Sequence, residues 1–157
     1  MAKNKSGILG KIYGLWVKTV SLLQSPLLLA MRLYWGWQFF VTGKGKLMNL
    51  DKTASFFASI DIPMPKINAI LAGSTECFGG LLLLLGLFSR LVSVPLIFCM
   101  LVAYATADKE ALHSIFSDPD KFTGATPFLF LLTCVIVFAF GPGKISLDAA
   151  LFKKTAK

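Results

Sequence analysis

Two ionisable residues stand where charge is expensive. Arg32 interrupts the apolar, aromatic run "LAMRLYWGWQFF" (29–40), and Glu76 interrupts "AGSTECFGGLLLLLG" (72–86). A charged side chain near the centre of a bilayer costs about 2.5–3.5 kcal/mol on insertion scales, so such residues face the protein interior and find partners. Counted from the far ends of their apolar segments, both lie about ten residues in, roughly 15 Å at the helical rise. Equal depth and opposite charge predict an Arg32–Glu76 ion pair, direct or through one water. Such a pair fixes the register of two helices, or it forms the polar base of an apolar cavity. A cavity of that kind would take a quinone headgroup or another small polar group, or pass a proton. Gln38, Tyr34, Trp35 and Trp37 would then supply hydrogen bonds and aromatic walls around Arg32 and Glu76.

Other chemistry finds little support. Cys77, Cys99 and Cys134 each fall in an apolar segment and none forms a C-x-x-C pair, so neither a disulfide centre nor a zinc site is expected. His113, with Glu110, Asp108, Asp118 and Asp120 nearby, lies in a polar connection and makes weak metal ligation; no metal site is assigned. There is no nucleotide loop, nucleophile elbow or H-E-x-x-H, and one histidine outside the apolar segments rules out bis-histidine haem. The chain is a poor candidate for a self-sufficient enzyme.

The elements that position these residues follow from composition. The 157 residues are 55% hydrophobic and 15% charged, with a mean hydropathy of +0.70. A soluble domain carries about a quarter charged residues, so lipid is the expected solvent. Four apolar stretches, about 22–42, 67–88, 91–107 and 125–141, approach the ~17–25 residues that cross a hydrocarbon core. The expected fold is all-α: an integral membrane four-helix bundle with an N-terminal interfacial amphipathic helix and a short outer cap. Its parts are a basic amphipathic segment (1–24), a four-span domain (25–142) and a basic tail (143–157). No signal peptide is expected, because no small-residue cleavage site follows a short apolar core.

Residues 8–23 alternate Lys11, Gly14, Lys18 and Ser21 against Ile8, Ile12, Leu15 and Trp16 at helical spacing, which suits a helix lying on a membrane surface. Ser25 and Pro26 read as the cap and first turn of span one, and Gly43 and Gly45 as its release after Thr42. Phe56, Phe57 and Ile60 predict a short outer helix before the breakers Pro63 and Pro65. Ala69, Gly73, Glu76 and Gly80 share one face of span two, small enough for close helix packing. Thr126 with Pro127 opens the last span, and "GPGK" (141–144) ends it.

The net charge of +8 is uneven. With four spans, one side receives nine basic groups: Lys3, Lys5, Lys11, Lys18, Arg90, Lys144, Lys153, Lys154 and Lys157. The other receives six lysines: Lys44, Lys46, Lys52, Lys66, Lys109 and Lys121. This bias predicts both termini in the cytoplasm. It reads as topology and lipid contact, not as nucleic-acid binding.

The order of features resembles the DoxX family of small bacterial four-span membrane proteins. The resemblance rests on Arg32 with Gly36 one turn later, on "TGKGKL" through Gly43, Lys46 and Leu47, and on "ECFGGLLLLLGLFSRL" through Glu76, Gly80, Gly86 and Arg90. It covers about residues 27–140. What it implies is a multi-pass bacterial inner-membrane protein tied to redox chemistry. Members are similar to a subunit of a thiosulfate:quinone oxidoreductase, or associate with superoxide dismutase and a sulfurtransferase. The expected role is a quinone-interacting accessory subunit of a membrane oxidoreductase system, with Arg32 and Glu76 as a buried polar centre. Gly36, Gly43, Lys46, Gly80, Gly86 and Arg90 are its structural motif. The lipid bilayer and an oxidoreductase subunit are the expected partners, quinone the candidate cofactor, and a homo-oligomer stays open. The alternative is a non-enzymatic scaffold that recruits a redox or stress-response partner.

Overall fold

A computed structural model describes residues 8–152. Among the described residues there are helices and connections, and no strands. α1 (Ile8–Ser21) and α2 (Gln24–Met48) are separated by a two-residue turn. α3 (Leu50–Ser59) and α4 (Pro65–Leu85) follow, then α5 (Ser89–Thr106). Two short helices, α6 (Lys109–His113) and α7 (Pro119–Gly124), lead into α8 (Pro127–Phe140). α9 (Leu147–Leu151) closes the described chain.

α2 and α4 form the most intimate pair, and α5 packs between α4 and α8. The core joins Phe39 of α2, Leu83 of α4, Leu96 and Met100 of α5, and Phe130, Cys134 and Val137 of α8. Glycine decides how close α2 and α4 come. A Cβ on Gly43 would collide with the backbone N of Cys77, and one on Gly36 would sit 2.8 Å from the backbone N of Leu84. Gly73 and Gly80 answer from α4, and Gly79 opens a slot for Leu96 of α5.

Gly43 therefore does not release the first span after Thr42. The helix continues through it for six more residues to Met48, because an absent side chain is what lets α4 pack there. Nor is Ser25 the cap: α2 begins at Gln24, and the Ser25 hydroxyl instead accepts the Lys144 amide at 3.1 Å. The outer helix forms as α3, tied to α2 by the Thr53 hydroxyl on the Lys46 carbonyl (3.3 Å). Pro65 opens α4 and Pro127 opens α8.

α4 and α5 are long and apolar enough to cross a membrane, as is the stretch from Ile8 to Met48 that holds α1 and α2. α8 has 14 residues, shorter than the predicted span of 125–141. At ~1.5 Å per residue it covers roughly 21 Å, less than the ~30 Å hydrocarbon core. Residues 141–152 fold back across the end of the bundle. Residues 1–7 and 153–157, which carry Lys3, Lys5, Lys153, Lys154 and Lys157 of the charge tally, lie outside the described residues.

Candidate functional site

Arg32 and Glu76 are both buried, at 0% and 2% exposure, but they do not meet. α2 and α4 run antiparallel, with Gly36 against Gly80 and Leu84, and Gly43 against Gly73 and Cys77. Arg32 therefore lies at the C-terminal end of α4, while Glu76 lies beside Thr42 and Lys46, ten residues further along α2. That separation is roughly 15 Å along the axis. Arg32 and Glu76 are not at equal depth, because α2 runs six residues beyond Thr42. The expected single centre is two centres.

The first is a helix-end cap. The Arg32 guanidinium donates from one terminal nitrogen to the carbonyls of Leu83 and Leu84 (3.4 Å each) and from the other to the carbonyl of Ile145 (2.6 Å). The last carbonyls of a helix lack intrahelical donors and carry its negative pole, so a cation there is favourable. Gly86 turns α4 off with a positive φ of 71°, and a Cβ on it would run into the guanidinium. Among the described residues no carboxylate is within salt-bridge distance of Arg32. Asp148, one turn past Ile145, binds the opposite pole of the next helix: its carboxylate accepts the amides of Phe88 (2.7 Å) and Ser89 (2.9 Å) at the start of α5. Arg90 repeats the device on α8, donating to the Ala139 carbonyl at 3.2 Å.

The second centre holds the ion pair. Lys46 donates to one Glu76 oxygen, and the Thr42 hydroxyl donates to the other at 3.3 Å. Gln38, Thr42 and Lys46 are successive turns of α2, and Gln38 is half-buried. The Lys46 side chain is 31% exposed against 3% for Glu76, so the pair is open on the lysine side only. By sequence Lys46 falls in the polar segment after span one, whereas the structure places it in the last turn of α2. A Lys four residues after Thr42, on the same face, was the signal for its role, once the helix was known to continue.

The aromatic residues divide as well. Trp35 packs edge-on against Phe130 of α8 (4.8 Å) and Tyr34 (5.0 Å). Tyr34 and Trp37 are 59% and 52% exposed, on the outer surface of α2, and do not wall a cavity around Arg32. Cys77 and Cys134 are buried and Cys99 half-buried, all as free thiols. Among the described residues no three His, Cys, Asp or Glu side chains cluster as metal ligands would.

Leu33 and Val41 of α2, Leu71 and Phe78 of α4, Phe98 and Leu101 of α5, and Leu132 and Phe138 of α8 face outward. Helices that bury their charges and expose their leucines have hydrocarbon as solvent. The fold is thus that of a helical membrane bundle.

The comparisons agree and narrow it. The DoxX family profile matches residues 27–109. Inner membrane protein YphA of Escherichia coli is 32% identical over 116 residues, covering 70% of this chain and 79% of that protein. A protein named putative oxidoreductase CatD, of Bacillus subtilis, is 30% identical over 125 residues, covering 80% and 87%. Membrane protein Rv3486 of Mycobacterium tuberculosis is 32% identical over 146 residues, covering 88% and 90%. No solved structure matches the chain. The chain belongs to the DoxX family and is an integral inner-membrane protein.

Proposed function

We propose that this chain is the membrane-embedded accessory subunit of an oxidoreductase system, with a quinone headgroup engaging the Lys46–Glu76 pair. The observation that carries the reading is the half-open pair itself. Glu76 is buried and receives Lys46 and Thr42, while the Lys46 side chain stays 31% exposed. An ammonium has three donors and spends one on Glu76, so it has hydrogen bonds left for a carbonyl oxygen. Thr42 and the half-buried Gln38 continue the polar stripe along α2, and the lipid-facing aromatic residues suit a ring that arrives through the bilayer. The residues therefore fit a quinone headgroup, with Lys46 and Gln38 as donors and Glu76 holding Lys46 in place. Bound quinone supplies two-electron acceptance; the electrons come from a partner subunit. The name of the Bacillus subtilis relative, putative oxidoreductase, supports a redox setting. Both termini lie in the cytoplasm and α8, although shorter than the hydrocarbon core, makes the fourth crossing by local thinning of the bilayer around it. With Lys46 inside the bundle, the basic residues stand nine to five between the two sides.

Native mass spectrometry with lipid extraction on gently solubilised protein tests the site. Wild type retains a quinone, while Glu76→Gln and Lys46→Met lose it. A second reading, a scaffold that recruits a redox or stress-response partner, is favoured by Arg32, whose terminal nitrogens both go to backbone carbonyls. Under that reading no form retains a quinone and a soluble partner co-purifies with all of them.

A further inference from the structure

The segment from Ile145 to Phe152 has two unlike faces. Inward, its backbone and Asp148 close the end of the bundle: the Ile145 carbonyl takes Arg32, the Asp148 amide bonds the Gly86 carbonyl at 2.9 Å, and the Asp148 carboxylate takes the start of α5. Outward, Leu147 and Leu151 stand one turn apart, at 39% and 66% exposure. Phe152 extends that face onto exposed Phe88, with ring centroids 5.7 Å apart. A soluble environment would disfavour this patch. Exposed Lys144 precedes it, exposed Arg90 sits at the same end, and the sequence continues with Lys153, Lys154 and Lys157.

We propose that this segment is a lipid-docked strap, its outer face resting in the headgroup boundary of an anionic bilayer while its inner face holds α2, α4 and α5 together. The occupant is argued from two observations. The patch is continuous with the end of a bundle whose helices turn apolar side chains outward along their sides, and it is flanked by the basic residues Lys144, Arg90 and Lys153. Apolar residues with lysines at their margin seat in the acyl–headgroup boundary, and each basic group adds attraction to anionic lipid. Because Arg32 and the α5 amides bind the same eight residues, anionic lipid tightens the end of the bundle without touching Arg32. This inference stands apart from the quinone reading, whose residues lie at the other end of α2.

Hydrogen exchange on the full chain in nanodiscs tests it, comparing phosphatidylglycerol with phosphatidylcholine. Anionic lipid should slow exchange at residues 145–152 and at Phe88 and Ser89 by about fivefold for each engaged lysine. The α4 interior serves as reference. Free glycerol phosphate added to phosphatidylcholine discs should leave exchange unchanged, since the ligand is the lipid surface rather than a soluble phosphate. The variant Leu147→Ser/Leu151→Ser keeps the inner contacts and should lose the lipid dependence. Equal exchange in both lipids in wild type overturns the proposal, as does full protection by glycerol phosphate. The wild-type comparison needs no variant to fold.

Discussion

At the scale of single residues, the cost of a buried charge depends on what faces it. Removing one partner of a buried pair strands the other, at about 3–5 kcal/mol, whereas replacing both with apolar residues is often neutral. Lys46→Met should therefore destabilise the bundle by about 3 kcal/mol, and Lys46→Met/Glu76→Leu by much less, read from thermal unfolding in detergent. The same double-mutant cycle on Arg32→Met and Glu76→Leu should show additivity, since those residues lie roughly 15 Å apart. A coupling above about 1 kcal/mol there would restore the direct pair. Gly43 carries the opposite risk. Gly43→Val forces a side chain against the Cys77 backbone and should cost about 1–3 kcal/mol or more, seen as a lowered melting temperature. Gly45, with nothing within 4 Å, should tolerate alanine.

At the scale of elements, helix ends are where this protein spends its charged side chains. Asp148 caps α5 from 59 residues away, so Asp148→Ala should cost about 1 kcal/mol. Amide exchange should then speed up at Phe88 and Ser89 before it does in the helix interior. The α6–α7 connection is held differently. Lys121 donates to Glu110 at 2.9 Å, and that hydrogen bond and charge hold the Glu110 carboxyl below its ordinary value. A depressed carboxyl contributes stability above its unfolded pKa, about 4.3, and loses it as pH falls through the folded value. Acidification below about pH 4.3 should thus loosen this connection. NMR titration of Glu110 should shift upward in Lys121→Ala.

At the scale of the whole molecule, an inside-out exterior and a basic end define how the chain sits in a membrane. A green fluorescent protein fused after Lys157 should fluoresce, and an alkaline phosphatase fused there should be inactive, if the end carrying Arg90 and Lys144 faces the cytoplasm. A reporter inserted after Asp61, between α3 and α4, should give the reverse pattern. Truncation after Gly141 should destabilise the bundle, because it removes the partners of Ser25, Arg32, Gly86 and Ser89 together.

The amino-acid sequence was enough to read the solvent, the existence of the long apolar helices, and Arg32 and Glu76 as the buried charges. Apolar runs of membrane length, with Arg32 and Glu76 as rare interruptions, are visible in any order of packing, because burial cost acts residue by residue. The DoxX family was legible for the same reason, through Arg32, the glycines and Glu76. Who neutralises whom was decided only by the tertiary structure. Helix register is a sum over many contacts, and a six-residue error at the end of α2 moved Lys46 from a loop to the partner of Glu76. Asp148 lay in a stretch with no periodicity and no neighbour in sequence to betray it. Its role exists because α4 and α5 end where the chain returns, and free amides and carbonyls there must be met by whatever the fold brings.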